Sequence, residues 1–306
     1  PKPGKLITVE LKRTSIARRM GRLTGAGQFA ESQKLGRERD WLESGLVGQD
    51  SVQNAVHRGR LFWFWGDTSL ANYPLGIFDG TGAVTAGPPG VKLDIVRDAS
   101  TGIRNSVSLT MNPKDKTLWA TMHGRDGLQA PPVGQWTFSN DYGAENPGEQ
   151  VNHIVKGADF AWPYCYYSTE EKKYVTAPEY GGDGKQSARC GGKSQPAYVF
   201  PAHWAPNDML FYTGSVFPAS YKNGAFIAFH GSWNRAPLPQ QGFRVVFLPL
   251  TNNKGGTHQD FAIDFSNNGG PGKDGKLHRP TGLAQGTDGS LYIADDVGGL
   301  IYKVSY

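Results

Sequence analysis

The chain has 306 residues and a formal net charge of +5, and its 8 Trp, 13 Tyr and 15 Phe exclude an intrinsically disordered chain. Its 41 Gly and 20 Pro recur every few residues without a Gly-X-Y period, which excludes collagen and a long helical bundle. No apolar stretch approaches the ~18 residues of a membrane span, and a turn-rich, mostly β chain remains.

The charge is uneven. Residues 1–60 hold 12 Lys/Arg against 6 Asp/Glu, whereas residues 61–306 hold 20 against 21. Within residues 1–48, Ile16, Met20 and Leu23 fall at i, i+4, i+7, and Ser32 to Leu46 reads as a second short helix around Trp41-Leu42. The segment lacks zinc ligands, heptads and an RNA-binding aromatic motif, so it reads as a solvated basic arm and no nucleic-acid partner is expected.

From residue 49 onward the pattern switches to strands and turns, and residues 49–306 read as one β domain. Gly59 to Asp67 is an aromatic strand. Ser106 to Met111 and Thr117 to Met122 form a hairpin about the turn Asn112–Lys116. Met209 to Gly214, Ala225 to His230 and Phe243 to Leu248 are three strands in a row. Thr281 to Gln285, Ser290 to Asp295 and Leu300 to Val304 are three more. Successive similar meanders predict a β-propeller, with a sandwich of the same hairpins as the alternative. Six blades are expected, with five or an incomplete ring as alternatives. The four clear units leave two blades to be drawn from residues 68–100 and 127–205. Gly-rich stretches 181–192 and 252–276 read as loop insertions, where propellers place function.

Cys165 and Cys190 flank one loop 25 residues apart. Two free thiols would suit a reducing compartment. A disulfide, the reading favoured here, implies a periplasmic or extracellular protein.

Three constellations carry candidate chemistry. Arg104 and Asn105 stand directly before a strand, where a guanidinium fork beside an amide suits a ligand rich in carboxylates or carbonyls, although a turn arginine paired with an Asp such as Asp98 explains the pattern as well. His123-Gly124-Arg125-Asp126 closes the next strand, with Glu149 to Asn152 further on, and its glycine lets a carbonyl approach a ligand or hard cation. His203, His230 to Arg235, and His278-Arg279 lie on three loops in matching places that are expected to converge. There is no Gly-x-Gly-x-x-Gly opening a helix, P-loop, Gly-x-Ser-x-Gly elbow or His-Glu-x-x-His, and no spacing singles out a carboxylate pair among Asp67, Asp126, Glu149, Asp295 and Asp296.

At Gly102-Ile-Arg-Asn105, Leu118-Trp-Ala-Thr-Met-His-Gly-Arg-Asp126, Phe160-Ala-Trp-Pro-Tyr-Cys165, Phe229-His-Gly-Ser-Trp-Asn-Arg235, Arg279-Pro-Thr-Gly and Leu291-Tyr-Ile-Ala-Asp-Asp, the chain resembles the glucose/sorbosone dehydrogenase family, and within it the sorbosone-dehydrogenase-like branch. The resemblance covers about residues 94–306. It implies a six-bladed quinoprotein propeller with pyrroloquinoline quinone and calcium. It also implies that Arg104 and Asn105 lie over the quinone, with Arg104 polarising its reactive carbonyl. Gly124 and Arg125 would hold calcium through their carbonyls, and Arg279 would pair with a cofactor carboxylate. His203, His230 and Arg235 would sit on loops facing the same channel. The family's catalytic histidine lies on an earlier blade, which residues 1–88 do not match. His57 echoes it but falls in the turn feeding the aromatic strand. The resemblance therefore implies oxidation of a sugar or sugar-derived aldehyde with an external electron acceptor. The alternative is a non-catalytic propeller binding glycans or protein partners, and an incomplete ring would favour a homo-oligomer.

Overall fold

The computed structural model describes residues 46–57, 60–70, 79–85, 93–96, 102–129 and 138–306. The helical reading of the basic segment falls outside them up to residue 45.

The described residues form four antiparallel meander sheets and one inserted hairpin. In the first sheet β1 (Leu46–His57), β2 (Arg60–Leu70), β3 (Asp79–Thr85) and β4 (Leu93–Val96) follow one another in sequence order. His57 pairs with Arg60 where β1 turns into β2, in keeping with its expected place at a turn. In the second sheet β5 (Leu109–Met111), β6 (Leu118–Met122) and β7 (Glu149–Ile154) are completed by β10 (Tyr198–Phe200). A short helix α1 (Asn140–Glu145) precedes β7, and the hairpin β8 (Cys165–Ser168) and β9 (Lys173–Thr176) precedes β10. The third sheet holds β11 (Pro206–Phe211), β12 (Gly224–Phe229) and β13 (Arg244–Thr251), with β14 (Lys254–Gly255) and β15 (Gln259–Ala262) both paired to β13. The fourth is β16 (Pro280–Gln285), β17 (Leu291–Asp295) and β18 (Leu300–Val304).

Residues 68–100, expected to add a blade, instead supply β3 and β4 of the first sheet. Likewise residues 127–205 supply β7 and β10 of the second. Nor is 252–276 only a loop insertion, because it contributes β14 and β15 to the third sheet.

Strand periodicity explains how the sheets stack. Every residue of β12 is buried, and its side chains alternate between two cores. Ala225, Ile227 and Phe229 join Trp119 and Val151 of the second sheet. Phe226 and Ala228 join Leu291 and Ile293 of the fourth. The third sheet is thus packed on both faces, as a propeller blade requires.

The inner strands are held by polar contacts. One oxygen of the Asp208 carboxylate accepts from Ser108 Oγ (3.2 Å) and from its neighbour Met209 N (2.8 Å). The other accepts from Leu283 N (2.7 Å), so one side chain links three consecutive sheets. Cys165 and Cys190 form the expected disulfide, with an S–S distance of 2.10 Å.

Candidate functional site

Arg104 is placed by a backbone that only glycine permits. Gly102 has φ +57°, and a Cβ there would lie 2.3 Å from Asp159 Oδ1. Its carbonyl accepts from Trp162 N (3.0 Å). The buried Arg104 guanidinium donates to the Gly124 carbonyl (2.8 Å), contacts Asp126 Oδ2 at 3.4 Å and lies 5.8 Å from the Trp162 ring centroid. The pairing is therefore with Asp126, while Asp98 lies outside the described residues. Asn105 is bridged to His123 through its backbone, and its side-chain oxygen is buried with no partner among the described residues.

The loop after β6 is anchored from below by Glu149. Its two oxygens accept from Gly124 N (2.8 Å) and Ala205 N (3.3 Å), and burial pushes its carboxyl up to about 8. Next to it, His123 Nε2 faces the Pro206 carbonyl at 3.2 Å, which assigns the proton to that nitrogen. Burial, reinforced by the Arg104 charge, pushes this imidazole down to about 4, so it is neutral. The Arg125 side chain points elsewhere, to Glu179 at 2.6 Å in the short turn Pro178–Tyr180.

Asn234 joins the loops. Its Nδ2 donates to Asp126 Oδ1 (2.5 Å) and faces His203 Nδ1 at 3.4 Å, while its Oδ1 is buried with no partner among the described residues. His203 Nε2 donates to the carbonyls of Gly143 (2.8 Å) and Asn146 (3.2 Å). Arg279 donates to the Gly231 carbonyl (3.1 Å) and to His230 Nδ1 (3.3 Å), and its guanidinium lies 5.0 Å from the centroid of the Phe243 ring. Gly231 has φ +90°, and a Cβ there would lie 2.3 Å from the Phe243 ring, so a larger residue could not present this carbonyl. His230 Nε2 in turn donates to Asp296 Oδ1 (3.0 Å).

Arg104, Asn105, Gly124, His203, His230 and Arg279 thus belong to one connected polar set at one end of the sheets. All three histidine loops reach it, through His203, His230 and Arg279. His278 instead sits between Asp295 (2.5 Å) and Asp274 (2.9 Å), and these carboxylates raise its pKa. Arg235 does not face the set either. Its fully buried guanidinium takes the carbonyls of Ala144 (2.7 Å) and Ala202 (3.1 Å) and the Glu145 carboxylate, holding loops together.

Asp126, Asn234, Glu149 and Asp296 complete the set, although their sequence spacing did not single them out. Asp126 and Asn234 meet across 108 positions, a pairing that only the stacking of sheets creates. Chemically, the set offers guanidinium donors bonded largely to neutral carbonyls, which an anionic ligand can take over. It also offers hard oxygens at Gly124 and Asp126. Among the described residues no group of three His, Cys, Asp or Glu side chains is placed to hold a metal, so a cation here would rely on carbonyl, amide and ligand oxygens.

An all-β chain of stacked meander sheets, with a cation-rich set at one end, is the class that fold and site define. Residues 97–306 match the TrAA12-like family, and the chain belongs to that family. It is 30% identical over 210 residues to an uncharacterized protein of Borreliella burgdorferi, covering 67% of this chain and 48% of that one. It is 26% identical over 232 residues to the pyrroloquinoline quinone-dependent pyranose dehydrogenase of Coprinopsis cinerea, covering 66% of this chain and 30% of that enzyme. The chain thus spans less than half the length of these relatives. The calcium structure of Trichoderma reesei Carbohydrate-Active Enzymes Family AA12 superposes with a TM-score of 0.59 at 19% identity, covering 84% of this chain and 67% of that one, and shares its fold.

Proposed function

We propose that this chain is the cofactor-holding part of an oxidoreductase that uses pyrroloquinoline quinone and calcium to oxidise a sugar or sugar-derived aldehyde. One observation carries the reading: Arg104, Asn105, Asn234 and Arg279, from three loops, converge in one polar set with two buried amide oxygens that have no partner among the described residues. That donor set fits a planar ligand bearing several carboxylates and carbonyls. Arg104 and Arg279 bind its carboxylates or carbonyls through their forks, and Asn105 and Asn234 orient it. The Gly124 carbonyl and Asp126 supply hard oxygens for calcium, and the Arg125 carbonyl is the third candidate. When bound, the quinone supplies a two-electron acceptor and calcium a Lewis acid.

Trp233, 74% exposed and next to Asn234, offers the face on which a sugar ring stacks. Both nitrogens of His230 are engaged, so the base that takes the hydroxyl proton comes from outside this set. The wider reading is a ring of six blades, with the four described sheets forming part of it and residues 1–45 a basic arm. The ring is completed from outside the described residues or by a homo-oligomer, and an external electron acceptor reoxidises the cofactor. The disulfide supports a periplasmic or extracellular location. The engaged His230 and the exposed Trp233 favour a second reading, a propeller that binds glycans or protein partners without catalysis.

Calorimetric titration of pyrroloquinoline quinone, with calcium and then with EDTA, separates the two. Calcium-dependent binding at micromolar affinity or tighter, followed by sugar-dependent reduction of an acceptor dye, supports the enzyme. Binding without dye reduction across a broad sugar and aldehyde panel favours the second reading. No binding overturns the quinone site.

A further inference from the structure

We propose a second binding site, for an acidic saccharide built from uronic acid units, at the end of the sheets opposite the Arg104–Arg279 set. The strand registers define that end. β6 runs from the turn Asn112–Thr117 up to His123, and β12 runs from Gly224 up to Phe229 and His230. At ~3.4 Å per residue, the two ends of β12 are separated by roughly 17 Å.

A cavity of about 650 Å³ opens there between the second and third sheets, within the ~300–1,000 Å³ range of small-molecule sites. Its walls are polar and its floor is apolar. Lys114 and Lys222 stand at it, both exposed and neither paired with a carboxylate among the described residues. The lining carboxylate, Asp115, already accepts from Thr117 N (3.1 Å) and Thr117 Oγ1 (2.6 Å). Asn223, Asn252 and Asn253 add exposed amides that no described protein group takes up. Phe211 and Leu250, half-buried, form the floor.

A second observation extends the site. Asn252 and Asn253 also line a neighbouring cavity of about 190 Å³, where His153 Nε2 is buried with no partner among the described residues. Lys254 stands at the same cavity, and among the described residues its amine has only the Pro196 carbonyl, at 3.3 Å, as partner. The two cavities share one wall and line up cations and amides along it. A ligand that fills both carries negative charge at intervals and many hydroxyls between, which is the chemistry of an oligouronate. A nucleic acid fits less well, because single-strand binding needs open aromatic faces. Trp119 is fully buried, stacked on His153 at 4.9 Å with Phe211 against it.

The test is calorimetry of the whole chain with tetragalacturonate in EDTA, without quinone or calcium, so that it can fail independently of the proposed catalytic reading. Saturable binding that weakens with salt is expected, with about a tenfold loss on Lys114→Ala plus Lys222→Ala and about threefold on Asn223→Ala. All three residues are exposed, and a thermal melt of each variant checks the fold. Lys222→Glu is the second variant, expected to weaken binding more than Lys222→Ala. Absence of binding, equal binding of neutral cellotetraose, tighter binding of oligo(dT), or binding that the lysine variants leave unchanged would each overturn the proposal.

Discussion

Glu149 is the residue on which the two site loops rest, and its titration has a sign that can be measured. Its folded pKa of about 8 lies above its ordinary 4.5, so the folded chain keeps a proton that the unfolded chain releases. The stability this contributes is fully present below about pH 4.5 and is lost as the pH rises through about 8. His123 acts in the opposite sense, because its pKa falls from 6.5 to about 4 on folding, so its contribution is present above about 6.5 and lost as pH falls. Between pH 6.5 and 8 the His123 contribution no longer changes, while His278, whose pKa Asp274 and Asp295 raise, loses its own contribution in the same sense as Glu149. Urea titrations across that window should show stability falling, with about 2 kcal/mol of the fall due to Glu149. Glu149→Gln should flatten the fall while costing about 1–3 kcal/mol for the N–H group left without an acceptor. Arg104→Ala should weaken quinone binding by roughly ten- to a hundredfold in calorimetry. Arg104→Lys should recover little of that loss, because an ammonium has no fork. Arg104 and Arg279 were legible as candidates because each precedes a strand within a recognisable motif. Arg235 belongs to an equally recognisable motif yet turns inward to carbonyls. Which side of a loop a side chain leaves by depends on backbone angles that residue identity does not encode.

Among the elements, strands of alternating apolar residues could be read directly. β12 carries side chains that two neighbouring cores both demand, so its sequence is apolar without interruption, whereas β17 sends Leu291 and Ile293 into one of those cores and its burial alternates. β7, β10 and β15 were not anticipated. Glu149, Gln150 and Asn152 are buried polar residues within β7, a composition that local patterning assigns to a loop. β10 and β15 take their places only through the strands they join, so their short sequences had little to announce. The hairpin of β8 and β9 is tied through Cys165 to Cys190 and packs through Tyr166, Tyr174 and Val175. Closing a 25-residue separation, the disulfide should stabilise by about 3 kcal/mol in the chain-entropy account. Replacing both cysteines by serine should lower the urea midpoint accordingly, and addition of a reductant to the native protein should reproduce the loss.

At the level of the whole molecule, the sheets are fastened near their inner strands. Asp208 reaches three sheets with one carboxylate, so its removal unties more than a single contact. Asp208→Ala should cost about 3 kcal/mol by leaving buried donors unsatisfied, and Asp208→Asn about half that, as read from equilibrium unfolding. The outer margin of the fourth sheet shows the opposite condition. Among the described residues β18 has no strand beyond it, and Ile301 is 74% exposed. An uncovered strand with an apolar residue is a template for association. Ile301→Lys should slow aggregation in light scattering at 37 °C without lowering the unfolding midpoint.

The contact between Arg125 and Glu179 adds a practical consequence. It joins the backbone that carries Gly124 to the turn directly after β9, and β8 and β9 are the strands next to the disulfide. Chain produced in a reducing cytoplasm should therefore reach the purification bench with that support slackened. Its capacity for ligand should then depend on the history of the preparation. Material exported to an oxidising compartment, or refolded with a glutathione couple, is the proper starting stock, and a thiol assay on each batch would tell the two apart before any titration is begun.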